Sequence, residues 1–498
     1  MRPSFLLLTV SCTALLMGCS VGPDFKRPAA PETSNYGPNA LPAATTSAAN
    51  PHGAAQKFAA GQDIPAEWWT LFQSEPLNQL IKQALKANPD LESAQAALRA
   101  AQENTGATEG LLYPDVEAGF SSSRQKTSGA SNGGNFRGST YTLHNASVSV
   151  TYGLDIFGVS RRKIEQLAAE EDFQRFQLEA AYLSLTGNVV TTAIQEAALR
   201  GQINATNKII ESQQQQLDIT LRQLEVGAID RGPMLAQQSV LQQTRASLPN
   251  LEKRLAAIRN QLAVLLGQLP SQPLPAKFEL SSLKLPETLP VSLPSKLVEQ
   301  RPDIRAAEAD MHAASAAIGV ATAKRLPQIL LTADVGSVAV ELGKLFTPGS
   351  GFWSIGSTLS QTLFDGGTLA HQQGAAEAQY DVTAAQYRKT VLNAFREVAD
   401  ALHALEADAE ALKATTLTEQ ASSESLSLVQ QQFDVGAVSY INLLSAQQVD
   451  QQAKLSLVQA EAQRYADTAA LFQALGGGWW NRKNDIAQLN SSRDGDKK

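Results

Sequence analysis

Cysteine is nearly absent from this 498-residue sequence: Cys12 and Cys19 are the only two, and both stand close to its start. The rest of the chain can form no internal disulfide, so packing and assembly must hold it together even in an oxidising compartment. Charged residues are sparse, at 18%, with a formal sum of −7, and nucleic acid is a poor partner because it demands a clustered basic face. After the N-terminus no run of about 20 apolar residues occurs, which excludes a transmembrane helix. A membrane can then be entered only by strands or through a lipid. The five histidines, His52, His144, His312, His371 and His403, show no metal-ligand spacing, and no cysteine remains to join them. Gly129-Ala130-Ser131-Asn132-Gly133 has the letters of a hydrolase nucleophile elbow. It lies in a low-complexity loop, though, where that motif needs a strand-to-helix turn. Gly343-Lys344 lacks the rest of a phosphate-binding loop. The expectation is a protein that is no enzyme and holds no cofactor or metal.

What is present begins with an address. Arg2 is followed by the apolar run Phe5 to Leu16 and then by Leu16-Met17-Gly18-Cys19, so residues 1–18 read as a lipoprotein export signal. Cleavage before Cys19 leaves its thiol to carry the lipid, since a thioether to diacylglycerol forms at no other common side chain. Ser20 follows the cysteine, where an aspartate would be the usual inner-membrane retention cue, so outer-membrane sorting is expected. Residues 19–66 are rich in Pro, Ala, Ser, Thr and Asn and read as an extended, lipid-anchored tether.

From Glu67-Trp68-Trp69 onward the pattern turns helical, and the chain then repeats itself. Asn88-Pro89-Asp90-Leu91 returns as Arg301-Pro302-Asp303-Ile304, and Pro114 returns as Pro327, an offset of roughly 213. Ala168-Ala169-Glu170 matches Ala375-Ala376-Glu377, Val226-Gly227-Ala228 matches Val435-Gly436-Ala437, and Leu266-Gly267 matches Leu475-Gly476. Landmarks kept in one order at nearly one offset mark two tandem copies of one unit, residues 67–285 and 286–478, before a polar tail, 479–498.

Each copy reads helix, two strands, very long helix, long helix. In the first, Val116, Ala118 and Phe120 alternate with Glu117, Gly119 and Ser121; Ala146, Val148, Val150, Tyr152 and Leu154 then alternate with Asn145, Ser147, Ser149, Thr151 and Gly153. The second copy offers Ile329, Leu331, Ala333 and Val335, then Trp353, Ile355, Leu359 and Leu363. Period-two alternation of about ten residues fits a membrane-barrel strand, and equally a half-buried soluble hairpin. Four strands cannot close a membrane barrel, for which about eight is the smallest number, so several chains must share one. The stretches Ser160–Glu225 and Thr368–Asp434 hold no proline, and each predicts a helix on the order of 100 Å. Each ends in Val-Gly-Ala, where glycine permits the left-handed residue that stops a helix. Second helices follow, over about Pro233 to Leu266 and Tyr440 to Leu475.

Together these residues resemble the TolC-like outer-membrane efflux channels, in their NodT/OprM-like lipoprotein branch. Gly18-Cys19-Ser20-Val21-Gly22-Pro23-Asp24-Phe25 is similar to that branch's mature start, Trp68-Trp69 with Asn88-Pro89-Asp90-Leu91 to its first helices, and Arg301-Pro302-Asp303-Ile304 to the start of its second half. Leu154-Asp155-Ile156-Phe157-Gly158 and Leu363-Phe364-Asp365-Gly366-Gly367 resemble its strand-to-helix junctions. The resemblance covers nearly everything from Cys19 to about Gly478. It implies a homotrimer with a twelve-stranded barrel over a helical periplasmic tunnel. The channel would pass small molecules out for a tripartite pump, with a periplasmic adaptor and an inner-membrane pump as partners. By the same resemblance the adaptor docks at the helix tips Val226, Gly227, Ala228, Val435, Gly436 and Ala437, and the periplasmic gate falls at Ile441, Asn442, Leu444 and Ser445. One departure stands out: the family narrows that gate with acidic side chains, where this sequence has Asn442 and Ser445, with Gln448 beyond. The rival readings are a channel for protein secretion and a structural lipoprotein without a pore.

Overall fold

The computed structural model describes residues 20–128 and 138–482. Cys19, the Gly129–Gly133 stretch and most of the tail lie outside these. In chain order the elements are strand β1 (Lys57–Ala60), helices α1 (Glu75–Ala87) and α2 (Pro89–Glu109), and strands β2 (Asp115–Lys126) and β3 (Thr140–Leu154). Helices α3 (Val159–Glu225) and α4 (Arg231–Leu265) follow. The second half runs β4 (Thr288–Val291), α5 (Pro294–Gln300), α6 (Pro302–Lys324), β5 (Gln328–Ala339), β6 (Gly351–Ser360), α7 (Thr368–Asp434) and α8 (Tyr440–Ala474).

The internal repeat is literal in the backbone. Helices α3 and α7 each have 67 residues, about 100 Å of rise, and α4 and α8 each have 35. The two X-Pro-Asp landmarks do the same job in both copies. Asn88 Oδ1 accepts from the amides of Asp90 and Leu91 at 3.0 and 3.1 Å, capping α2, while its Nδ2 donates to Leu265 O at the end of α4. Arg301 precedes α6 and donates to Ala474 O at the end of α8, at 2.9 Å. Each motif thus ties the start of one helix to the frayed carbonyl end of another. The strand-to-helix junctions also agree. Asp155 accepts from Ser160 N and Arg161 N, both at 3.0 Å, and Asp365 accepts from Gly367 N and Leu369 N at 2.9 and 2.8 Å. The Leu369 amide foremost, with its neighbours, holds the exposed Asp365 carboxyl below the usual carboxylate range.

By contacts the chain divides into two compact units that cut across the repeats. The first comprises residues up to Pro28, Ala97–Arg175 and Ala306–Arg388. Its sheet is antiparallel throughout, in the order β2-β3-β5-β6. The residues after Cys19 do not hang free from it. Val21 N donates to Phe157 O, and Arg162, buried, donates to the carbonyls of Val21 and Gly22 and to Asp24. Gly22 takes φ +95° against α6, where a Cβ would lie 2.4 Å from Gly319 Cα. Phe25 stacks on His312 with centroids 4.4 Å apart.

The second unit comprises Ala29–Ala96, Phe176–Arg305 and the chain from Lys389 onward. Its core gathers Trp68, Phe72, Leu77, Ile81, Phe278 and Phe472. Strands β1 and β4 pair in parallel, Phe58 opposite Leu289. Segment 43–58, expected as part of a loose tether, is bound to α8 through a fully buried Arg464. That guanidinium donates to His52 O, Ala54 O, Gln56 Oε1 and Thr45 Oγ1 at 3.0 to 3.4 Å. Gln56 Nε2 in turn donates to Pro286 O and Thr468 Oγ1, both at 3.1 Å. The composition of the segment signals lack of regular structure; its polar groups still accept four hydrogen bonds from a buried cation, whose Nε is left without a partner.

Candidate functional site

The sheet of the first unit has a dry face and a wet one, and its register decides which is which. Ala118, Val148, Val335 and Trp353 form one cross-strand row, Val116, Val150, Ala333 and Ile355 the next, and Leu154, Ile329 and Leu359 a third. Between them on the opposite face run Glu117, Ser149, Asp334 and Ser354. The apolar rows are uncovered: Trp353 is 75% exposed, Ile355 78% and Phe120 61%. A soluble hairpin would bury this face, so the sheet is built for a solvent that is itself apolar. Strands β2 and β6 each pair on one side only, and in lipid such edges must find partners. Leu363, expected in the alternation of β6, lies beyond that strand's end and is 92% exposed in the junction before α7. The two residues before it interrupt the period, and the chain turns there toward Asp365.

The helix tips carry one backbone device, used twice. Ala228 N donates to Gln223 O and Gly227 N to Leu224 O; likewise Ala437 N donates to Gln432 O and Gly436 N to Phe433 O. This double bond closure around a left-handed residue is a Schellman cap. Gly227 and Gly436 have φ +71° and +73°, and a Cβ on either would meet nothing within 4 Å. Glycine is required there by backbone sterics alone. Val226 and Val435 beside them are each 80% exposed. Just past the second tip, α8 opens with Ile441 and Asn442 exposed, Leu443 buried, Leu444 half-buried and Ser445 exposed. Within one chain the inward anchor of that turn is therefore Leu443. Tyr440 Oη is hydrogen-bonded to Gln237 Oε1 of α4, and its ring meets Phe433 edge-on at 5.8 Å.

The family described as outer membrane efflux protein matches residues 80–268 and 293–477, one stretch in each repeat. The chain belongs to that family. Among curated relatives of this efflux protein, the toluene efflux pump outer membrane protein TtgC of Pseudomonas putida is 29% identical over 490 residues. That alignment covers 97% of this chain and 98% of TtgC. The pyoverdine export outer membrane protein OpmQ of the same species is 31% identical over 429 residues, covering 84% and 89%. Among solved structures the outer-membrane channel OprN superposes with a TM-score of 0.81 at 26% identity, covering 93% of this chain and all of that one. The fold is that of an outer-membrane channel, and the role is efflux across that membrane.

Several polar groups of the efflux protein escape sequence reasoning. Glu196 of α3 is fully buried and accepts from Arg200 and from Arg259 of α4 at 2.7 and 2.5 Å. The Arg200 pair has the helical i,i+4 spacing and was available to sequence; the Arg259 pair was not. Asp408 of α7 faces Asp467 of α8. Burial and that second carboxylate push Asp408 up to about 8. Nothing in the local pattern around either residue signals the pairing. Among the described residues no group of His, Cys, Asp and Glu is arranged to hold a metal.

Proposed function

We propose that the protein is a homotrimeric exit channel of a tripartite efflux pump, lipid-anchored at Cys19, that carries small molecules from periplasm to exterior. The observation that carries this reading is the four-stranded sheet with an apolar outer face and two unpaired edges. Edge β6 of one chain would pair with β2 of the next, and three chains would close twelve strands. The antiparallel order of the sheet supports such a junction, because β2 and β6 run in opposite directions.

In this reading the capped tips at Val226-Gly227-Ala228 and Val435-Gly436-Ala437 receive a periplasmic adaptor, and an inner-membrane pump selects the cargo. The relatives' names mention toluene and pyoverdine, which supports small-molecule cargo over a secreted protein. Ile441, exposed in the single chain, is free to pack against its copies around the axis, with Leu444 behind it and Asn442 and Ser445 adding polar contacts. Without an acidic ring at those positions the gate is apolar, and divalent cations have little to bind.

The test is single-channel conductance of the purified protein with and without millimolar magnesium, alongside its mass under native conditions. A trimer of small conductance, insensitive to magnesium and opened several-fold by Leu444→Ala, is expected. A monomer, or strong magnesium block with no gain in the variant, overturns the reading.

A further inference from the structure

Away from the strands and helix tips, the second unit holds a half-open cavity of about 370 Å³ that the channel reading does not use. It lies between the segment preceding α1, the α1 helix itself, the first half of α3 and the turn that follows α8. Its walls are aromatic: Trp69, Tyr182 and Trp479 contribute ring surface, with Leu183 between them. The Gly476-Gly477 turn forms another wall, with φ +93° and +66°. A Cβ on Gly477 would come 2.4 Å from Leu183 Cδ1, so that wall admits no side chain of its own.

Two polar features give the cavity a sign. Trp69 is 93% buried by its 7% exposure, and its indole Nε1–H has no hydrogen-bond partner. A buried donor left without an acceptor is destabilising, so an acceptor brought against it by a small shift of the ring is favoured. Lys82 and Lys86 stand one turn apart on α1 at the lining, with no ion pair among the described residues. The acidic side of the lining is largely neutralised already. Glu179 is bonded to Arg482, whose guanidinium stacks on the Tyr182 ring at 4.6 Å from its centroid. Counting Glu67 and Glu179 against Lys82, Lys86 and Arg482, all lining residues, leaves one net positive charge.

We infer that this cavity is a binding site for a flat aromatic acid, with its ring among Trp69, Tyr182 and Trp479 and its carboxylate toward Lys82, Lys86 and the Trp69 indole. Rings prefer offset or edge-on contact with other rings, and a carboxylate supplies both the acceptor and the charge that the lining lacks. Four chain segments meet at the site, so an occupant would hold α1 against α3 and raise thermal stability by mass action.

The full-length protein, purified in neutral detergent, is titrated calorimetrically with 2-naphthoate, with its neutral counterpart 2-naphthylmethanol and with dodecanoate as a lipid-like anion. One saturable site per chain is expected for naphthoate, at least five-fold tighter than for the alcohol. The double variant Lys82→Gln/Lys86→Gln changes two exposed side chains and should erase that preference while leaving the alcohol unaffected. Trp69→Phe keeps an aromatic side chain, removes the N–H along with part of the ring area, and should weaken naphthoate several-fold and by more than it weakens the alcohol. Absence of saturable binding, equal affinity for acid and alcohol in the wild type, or indifference to all three substitutions overturns the proposal. Tighter binding of dodecanoate than of naphthoate also overturns it, since the occupant would then be an acyl chain.

Discussion

Helices α4 and α8 are copies of one another in length and in the cap that ends each, yet they live in different surroundings. In α4 the buried positions are few, Val240, Leu241, Leu262 and Ala263 among them, and Pro249 sits inside the helix. In α8 burial extends from Leu443 through Asp450 to Tyr465, Phe472 and Ala474, and it takes in Arg464. The length of each copy is set by periodicity and stop signals, which agree, although Asp230 caps the start of α4 with its side chain and Ser439 makes no such bond at the start of α8. The burden carried by each copy is set by what docks on it. Segment 43–58 docks on α8, and among the described residues no segment is hydrogen-bonded along α4 in the same way, so α8 carries the larger share of the buried contacts.

The sharpest break of that comparison is a pair of arginine deletions. Arg464→Ala strands four acceptors in the interior and should cost at least about 3 kcal/mol. Arg254→Ala, on an exposed position of α4, should stay within about 0.5 kcal/mol. Equal losses in thermal melts would mean that the two helices bear equal loads. Next in size is the contrast between the two sheet faces. Val150→Arg places charge on the apolar face and should cost about 2–4 kcal/mol near a membrane midplane. The neighbouring Ser149→Arg points to the polar face and should be tolerated. The yield of folded, heat-resistant channel in bilayers reads the difference.

Smaller effects sharpen the likeness of the copies. Gly227→Val and Gly436→Val should each cost about 1–2 kcal/mol, and by the same amount, because both glycines are left-handed with open space around them. Unequal costs, measured by denaturant unfolding, would reveal a contact made by one tip only. A further effect is one of pH. In the unfolded chain Asp408 loses its proton at the ordinary carboxylate value, but in the fold it holds it up to about 8. The folded form therefore binds more protons between those limits, and stability must fall as pH rises toward 8 and then level off. Melting temperature followed from pH 6 to 9 should decline in the wild type and be flatter in Asp408→Asn.

Much of this architecture could be read directly from the chain. The span Thr368–Asp434 emerged from the absence of proline and coincides with α7; the alternation of Val148, Val150 and Tyr152 placed these residues on one face. Both signals are local, repeating within a few residues. What escaped was long-range. Arg464 is bonded to residues some four hundred positions earlier, and from sequence alone a lone arginine in an Ala-rich helix is read as solvated. The same holds for Asp408 and Asp467, which meet only because two helices pack. The composition of residues 20–66 suggests an extended tether, but the docking of this segment depends on acceptors whose value appears only once a buried cation is known to sit opposite. The tip glycines are legible as positions because the repeat marks them, and the residues early in α8 through the family resemblance, while the exposure of both follows only from the fold.

The parallel pairing of β1 with β4 and the grip of Arg464 on segment 43–58 also impose an order of events on folding. Lys57 lies opposite Thr288, and the groups around Gln56 wait for Arg464 and Thr468. A chain that enters its compartment N-terminus first must therefore keep that segment unplaced until almost its entire length has arrived. Contacts between such distant positions form slowly, because a long loop must close before any gain is realised. Meanwhile the apolar rows of β2 and β3 have already emerged and have no cover. Such exposed apolar surface favours aggregation while the chain is incomplete, and the arrival of α8 completes the fold.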